Sequence, residues 1–120
     1  MLGVSELFAE DGKIVFPYHS GLFPPETVGK KNILEGYNNA SKNFSEVKFP
    51  IDEIMPFEDP NIVAVKFNGK LKLKNGPGYY ENDYLFIFYF AENGEILEAH
   101  EYFNPIDSAK GFGLMDKLCK

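Results

Sequence analysis

Apolar and polar residues alternate most cleanly over 62–74. Val63, Val65, Phe67, Leu71 and Leu73 fall on one face, and Lys66, Asn68, Lys70, Lys72 and Lys74 on the other. That period of two predicts a long, half-exposed antiparallel strand. A second strand is predicted over 79–90, and its end, 85–90, is apolar without alternation, so both faces there need cover. Glu92-Asn93-Gly94 is a tight hairpin turn, and 95–103 is the partner strand. Residues 44–55 read as one edge strand, because a proline interrupts them, with Val47, Phe49 and Ile51 on one side. Residues 13–18 make a short strand closed by Pro17, followed by a loop over 19–25. Ile33, Leu34 and Tyr37 give 30–43 a helical stripe, weakened by Gly36. A short helix is predicted over 4–10, and another over 108–118, capped by Asp107 and interrupted by Gly111 and Gly113. Asp11-Gly12, 56–61 and 75–78 are turn signals.

The order is helix, strand, helix, then four strands, the late ones joined by tight turns. It predicts an α+β fold, an antiparallel sheet with helices on one face. One chemical group stands out in it. In the strand 96–103, Leu97, Ala99, Glu101 and Phe103 share one face, and Ile96, Glu98, His100 and Tyr102 the other. Glu101 is thus the one ionisable group on the more apolar face. Such a glutamate is paired, or neutral with a raised pKa, or lines a pocket. The last two states make a general acid or base. A one-residue bulge would instead turn it outward. His100 falls on the polar face, as a surface or dimer-interface residue.

On the preceding strand Tyr80, Asn82, Tyr84, Phe86, Phe88 and Phe90 share a face, so Tyr84 can offer a hydroxyl beside aromatic walls. His19, in a loop after a strand end, is a further candidate for touching a ligand. The 120 residues suit one domain with a modest core. Twelve Phe and seven Tyr, with no Trp, line either a thick core or a pocket for a flat apolar ligand. A formal net charge of -6 argues against nucleic acid and against an anionic membrane surface. The single cysteine, Cys119, cannot form an internal disulfide, which points to a reducing, cytoplasmic setting. No apolar run is long enough to span a membrane. His19 and His100 are far apart and no cluster has metal-ligand spacing, so no metal is expected. Nucleophile-elbow, P-loop and dinucleotide-binding motifs are all missing.

Several segments in order resemble the nuclear transport factor 2-like superfamily, the cone fold of ketosteroid isomerase and SnoaL-type cyclases. They are Leu7-Phe8-Ala9-Glu10-Asp11-Gly12, Val28-Gly29-Lys30-Lys31, Asn93-Gly94-Glu95-Ile96 and Glu101-Tyr102-Phe103-Asn104-Pro105. Within it the chain is similar to the phenazine biosynthesis A/B branch, through Gly78-Tyr79-Tyr80-Glu81-Asn82 with Tyr84, the Glu58-Asp59-Pro60-Asn61 turn, and Glu101 followed by Asn104. The resemblance spans about 7–113. It implies a single domain over 1–120, a cystatin-like cone in which a curved antiparallel sheet wraps around N-terminal helices and leaves a pocket at its open end. It also implies a homodimer. In the phenazine branch a pocket glutamate serves as acid/base in condensing two ketone-bearing cyclohexene carboxylates, and that residue matches Glu101. The ketosteroid isomerase base aligns with Phe16 and its protonated donor with Phe86, so steroid isomerisation by that machinery is not expected. The middle-helix histidine of the phenazine branch falls at Gly36. The family's long first helix, which lids the cone, is expected to be short or missing, since only 1–6 precede the matching segment.

These readings converge on a protein that binds a small organic molecule in an aromatic cone. Phe16, Tyr18, Tyr37, Phe86, Phe88 and Phe103 are the expected contacts. Glu101 is the expected acid/base at a carbonyl or imine carbon, with Tyr84 or His19 orienting the ligand. No cofactor is expected, because proton transfer needs only a placed acid/base. A non-catalytic binding module or a dimerisation domain of the same fold is the alternative.

Overall fold

A computed structural model describes residues 2–74 and 78–119, with side chains for 4–74 and 78–118. In chain order the elements are α1 (Leu2–Ser5), β1 (Phe8–Val15), β2 (Glu26–Val28), α2 (Lys30–Ser41), β3 (Phe44–Lys48), β4 (Ile51–Pro56), β5 (Ile62–Leu73), β6 (Tyr79–Phe90), β7 (Ile96–Phe103) and α3 (Pro105–Phe112). A 3-10 turn over Met115–Cys119 follows. The strands form one curved, seven-stranded sheet in the order β2-β1-β7-β6-β5-β3, with β4 also pairing β5. The fold is α+β, with the helices on the concave side. Every pairing is antiparallel except β1 with β7, which is parallel. Parallel neighbours need a long connection, and here everything between β1 and β7 supplies it.

The alternating segments form as the pattern predicts, with β6 covering 79–90 and pairing β5 along its length. The differences come from Gly and Pro. Asp11-Gly12 is not a turn but lies inside β1, where the register with β7 shifts between Phe8 and Lys13. Gly12 is needed for close approach, because a Cβ there would stand 2.9 Å from the Ile96 carbonyl oxygen. The short helix expected over 4–10 gives way to β1 after Ser5. Pro50 splits the strand expected over 44–55 into β3 and β4, since proline offers the ladder no N–H. The last helix starts earlier than expected. Asn104, not Asp107, caps it by accepting the Ile106 N–H at 3.0 Å, Pro105 occupies the first turn, and Gly113 ends it at φ 69. The turn expected at 75–78 falls, apart from Gly78, outside the described residues.

The inner face of the sheet carries the core. Phe8, Ile14, Ile33, Phe67, Phe86, Ile96 and Ala99 form one buried cluster, and Phe44, Leu71 and Tyr80, with Phe112 against them, a second. The hairpin of β6 and β7 contains a bulge, but upstream of Glu101. Phe90 pairs Ile96 and Tyr89 pairs Glu98, so Leu97 is the extra residue. Leu97 is 47% exposed and Ile96 only 1%, the reverse of simple parity. Beyond the bulge, parity holds. Glu101 stays on the inner face opposite Phe86, between Ala99 and Phe103.

Candidate functional site

Between the inner face of the sheet, α2 and α3 lies a cavity of about 390 Å³, within the size range of small-molecule sites. Its wall is mostly aromatic: Phe16 and Phe23 from the first loop, Phe44 at the start of β3 and Phe49 just after its end, Tyr84 from β6 and Phe103 from β7. Tyr37 enters from α2, and Ser108 and Phe112 from α3. Gly36, one residue before Tyr37, also lines it, and a Cβ there would meet open space. The lining residues Pro24, Asn32, Gly36, Ser41 and Val47 are exposed, so the mouth opens between the first loop, α2 and β3.

Glu101 points into this cavity. As a residue it is half-buried, but its carboxyl Oε1 is shut away from solvent and has no hydrogen-bond partner. Burial raises the Glu101 pKa to about 8, because the charged form loses its water. The Tyr37 hydroxyl stands near enough to hold this rise back, although neither Tyr37 Oη nor Glu101 Oε1 has a hydrogen bond of regular geometry. Burial, and then the Glu101 charge, push the Tyr37 phenol upward. Tyr84 is pushed up as well, by burial first and then by neighbouring Tyr80. Both phenols therefore stay neutral and able to donate. The Tyr84 hydroxyl is tied into a network. It lies 2.9 Å from Tyr80 Oη, which lies 3.0 Å from Ser108 Oγ. Asn82 is the hub: its Nδ2 stands 3.0 Å from Tyr80 Oη, 3.0 Å from Ser108 Oγ and 2.9 Å from the Asn104 carbonyl. Its Oδ1 accepts the Asn104 N–H at 2.9 Å. The network binds β6 to the start of α3 and aims Tyr84.

The SnoaL-like domain family matches residues 2–99 of the chain. The chain belongs to the SnoaL-like domain family. A phenazine biosynthesis-related protein from Pseudomonas aeruginosa shares the structure with a TM-score of 0.75 at 27% identity, over 94% of this chain and 71% of that one. A Bacillus subtilis protein superposes with a TM-score of 0.80 at 22% identity, over 92% of this chain and 78% of its own. A protein of ketosteroid isomerase-like fold from Catenulispora acidiphila, in complex with trimethylamine, gives 0.74 at 16%, over 94% and 82%. These likenesses support the nuclear transport factor 2-like cone and the phenazine A/B-like branch. No curated protein matches the chain.

The family match stops short of Glu101 and α3, so their part in this SnoaL-like domain is read from geometry. Of the residues expected at the site, Glu101, Tyr84, Tyr37, Phe16 and Phe103 line the cavity together. The other four lie elsewhere. Tyr18 is 56% exposed and packs edge-on against Tyr102. His19 accepts the Gly21 N–H at Nδ1, 3.1 Å away, within its own loop. Phe86 is buried beneath the cavity between Phe67 and Phe88, and Phe88 packs onward to Phe90, where the cone is closed by its own rings. His100 is on the outer face, 2.6 Å from Glu98 Oε1. The sequence reading did not anticipate the Phe23, Phe44, Phe49 and Phe112 walls or the Tyr80–Ser108 link. The shared face of Tyr80, Asn82 and Tyr84 was the signal for the link. Among the described residues no helix is long and apolar enough to cross a membrane, and no group of three His, Cys, Asp or Glu stands together.

Proposed function

We propose that this SnoaL-like domain binds a small cyclic carbonyl compound in its aromatic cavity and moves a proton on it with Glu101. The reaction class is isomerisation, cyclisation, dehydration or imine-forming condensation, without a cofactor. The observation that carries this reading is the solvent-shielded Glu101 carboxyl, unpartnered at Oε1 and facing an open aromatic cavity. With a pKa of about 8 the carboxyl is mainly protonated at neutral pH and can donate to a carbonyl oxygen or imine nitrogen. Once ionised it can take the proton from the carbon next to the carbonyl. Returned to another carbon, that proton leaves Glu101 as it began. Tyr84, held by Tyr80, would donate a hydrogen bond to the substrate oxygen and stabilise the charge that develops there. The relationship to a phenazine biosynthesis-related protein supports a role in small-molecule chemistry.

A pH–rate profile on Glu101→Gln and wild type tests the reading. An essential acid gives a rate that falls through about pH 8, and an essential base one that rises through it. Turnover that survives Glu101→Gln would sink the proposal. Binding that survives in both proteins, with turnover in neither, would favour the binding module. A homodimer in the cytoplasm belongs to the same proposal. Leu85, Ile87 and Tyr89 are half-buried and alternate with the inward-facing residues of β6, so they fall on the outer face beside His100. Sedimentation equilibrium showing only monomer at micromolar concentration would remove the dimer.

A further inference from the structure

The cavity constrains the charge of its ligand more tightly than its size. Among the described residues that line it there is no lysine, arginine or histidine, and Glu101 is the single acid. The remaining polar lining is neutral: the hydroxyls of Tyr37, Tyr80, Tyr84 and Ser108, and nearer the mouth Thr27, Ser41 and the Asn32 amide. Tyr84, Tyr80 and Ser108 are already linked in one network with Asn82, while Asn32 and Ser41 bond the backbone of Val28 and Asn38. An anionic group brought inside would lose its water and find no cation. It would meet a wall of mostly aromatic and aliphatic side chains and a carboxyl that must stay protonated beside it. A neutral ketone or imine meets none of these costs. It fills the apolar wall and presents one acceptor to Tyr84 or Glu101.

We infer that the cavity admits uncharged cyclic ketones or imines and refuses ring compounds that carry a carboxylate. The carbonyl in this statement rests on the function proposed above, while the charge selection rests on the lining residues. The inference separates this chain from the cyclohexene carboxylates that the phenazine resemblance implies.

Tetralone and its ring carboxylate make a matched pair, with the same rings and ketone and one added charge. Each is titrated at pH 7 against the isotopically labelled protein, with the amide signals of Gly36 and Ala40 reporting occupancy of the cavity. The ketone is expected to shift both signals, and the acid to bind more weakly by about tenfold or more. In Ser41→Lys, which sets a cation at the exposed end of α2 on the rim, the acid should gain on the ketone. Acid binding equal to or tighter than the ketone's in wild type, with the same shifts, overturns the charge selection and leaves the pocket reading standing. An acid that gains nothing from Ser41→Lys overturns the missing-cation explanation. If neither compound moves Gly36 or Ala40, the pocket reading fails and the inference fails with it.

Discussion

Replacing Glu101 by glutamine turns the buried carboxyl into an amide of nearly the same shape that does not titrate. The pKa rises from 4.5 for a free glutamate to about 8 in the fold, and burial is the main cause. Below pH 4.5 both folded and unfolded chains carry this group neutral, so it imposes no penalty. As pH climbs, the unfolded chain releases the proton while the folded chain keeps it, and wild type loses stability relative to the variant. The loss accumulates at about 1.4 kcal/mol per pH unit and ends once the folded carboxyl ionises near pH 8. The full swing is at most about 5 kcal/mol, a large share of the roughly 5–15 kcal/mol that stabilises a typical domain. Urea unfolding of both proteins from pH 4.5 to 9 measures it. All other titrating groups are common to the two chains and cancel in the difference, and the cost of seating an amide in place of a neutral acid is a constant offset. The stability of Glu101→Gln minus that of wild type should therefore grow with pH and level off above about 8. A flat difference would mean that the carboxyl is solvated. A difference that shrinks with pH would mean that a hidden cation pairs with it.

Three packing predictions follow from the same geometry. Asn82→Ala leaves the Asn104 N–H without its partner and removes the Asn82 bonds to Tyr80, Ser108 and the Asn104 carbonyl, and should cost about 2–4 kcal/mol in urea unfolding; a loss below about 1 kcal/mol would mean that the network is not maintained in solution. Gly111→Ala would drive a Cβ into the Tyr80 ring and should destabilise by about 1–3 kcal/mol despite alanine's better helix propensity, with a shifted Tyr80 NMR signal; a more stable variant would refute the contact between α3 and Tyr80. Ile96→Ala should cost about 2–5 kcal/mol and Leu97→Ala less than about 1, because the bulge buries the first and exposes the second; equal costs would place the bulge elsewhere.

The bulge shows how far pattern alone reaches. Strict alternation put Leu97 inside and Ile96 outside, and the hairpin reverses both, because two residues of β7 face the single Phe90. The inward placement of Glu101 survives only because the irregularity comes before Ala99. Asp11-Gly12 shows the opposite case. Its composition is that of a turn, yet it lies within β1 at the register shift against β7, and the glycine serves the close approach to Ile96. Pro50 acted as proline chemistry dictates, breaking one expected strand into two. Tyr18 and His19 sat in a loop that looked suited to ligand contact, but its rings divide, Phe16 and Phe23 turning to the cavity and Tyr18 to Tyr102.

By itself the sequence determined the strands β5 and β6, the hairpin that follows them and the α+β class. These depend on the period of the backbone and on Gly, Pro and Asn chemistry, all of which act between neighbours along the chain. The tertiary structure alone decided that Phe23, Phe44 and Phe112 meet across one cavity, that Phe86 and Phe88 close the cone instead of lining it, and that Oε1 of Glu101 is shut away from solvent with no hydrogen-bond partner. Desolvation and hydrogen-bond satisfaction sum over every atom packed around a group. For Glu101 those atoms come from α2 and β6 as well as from its own strand, and only folding brings them together.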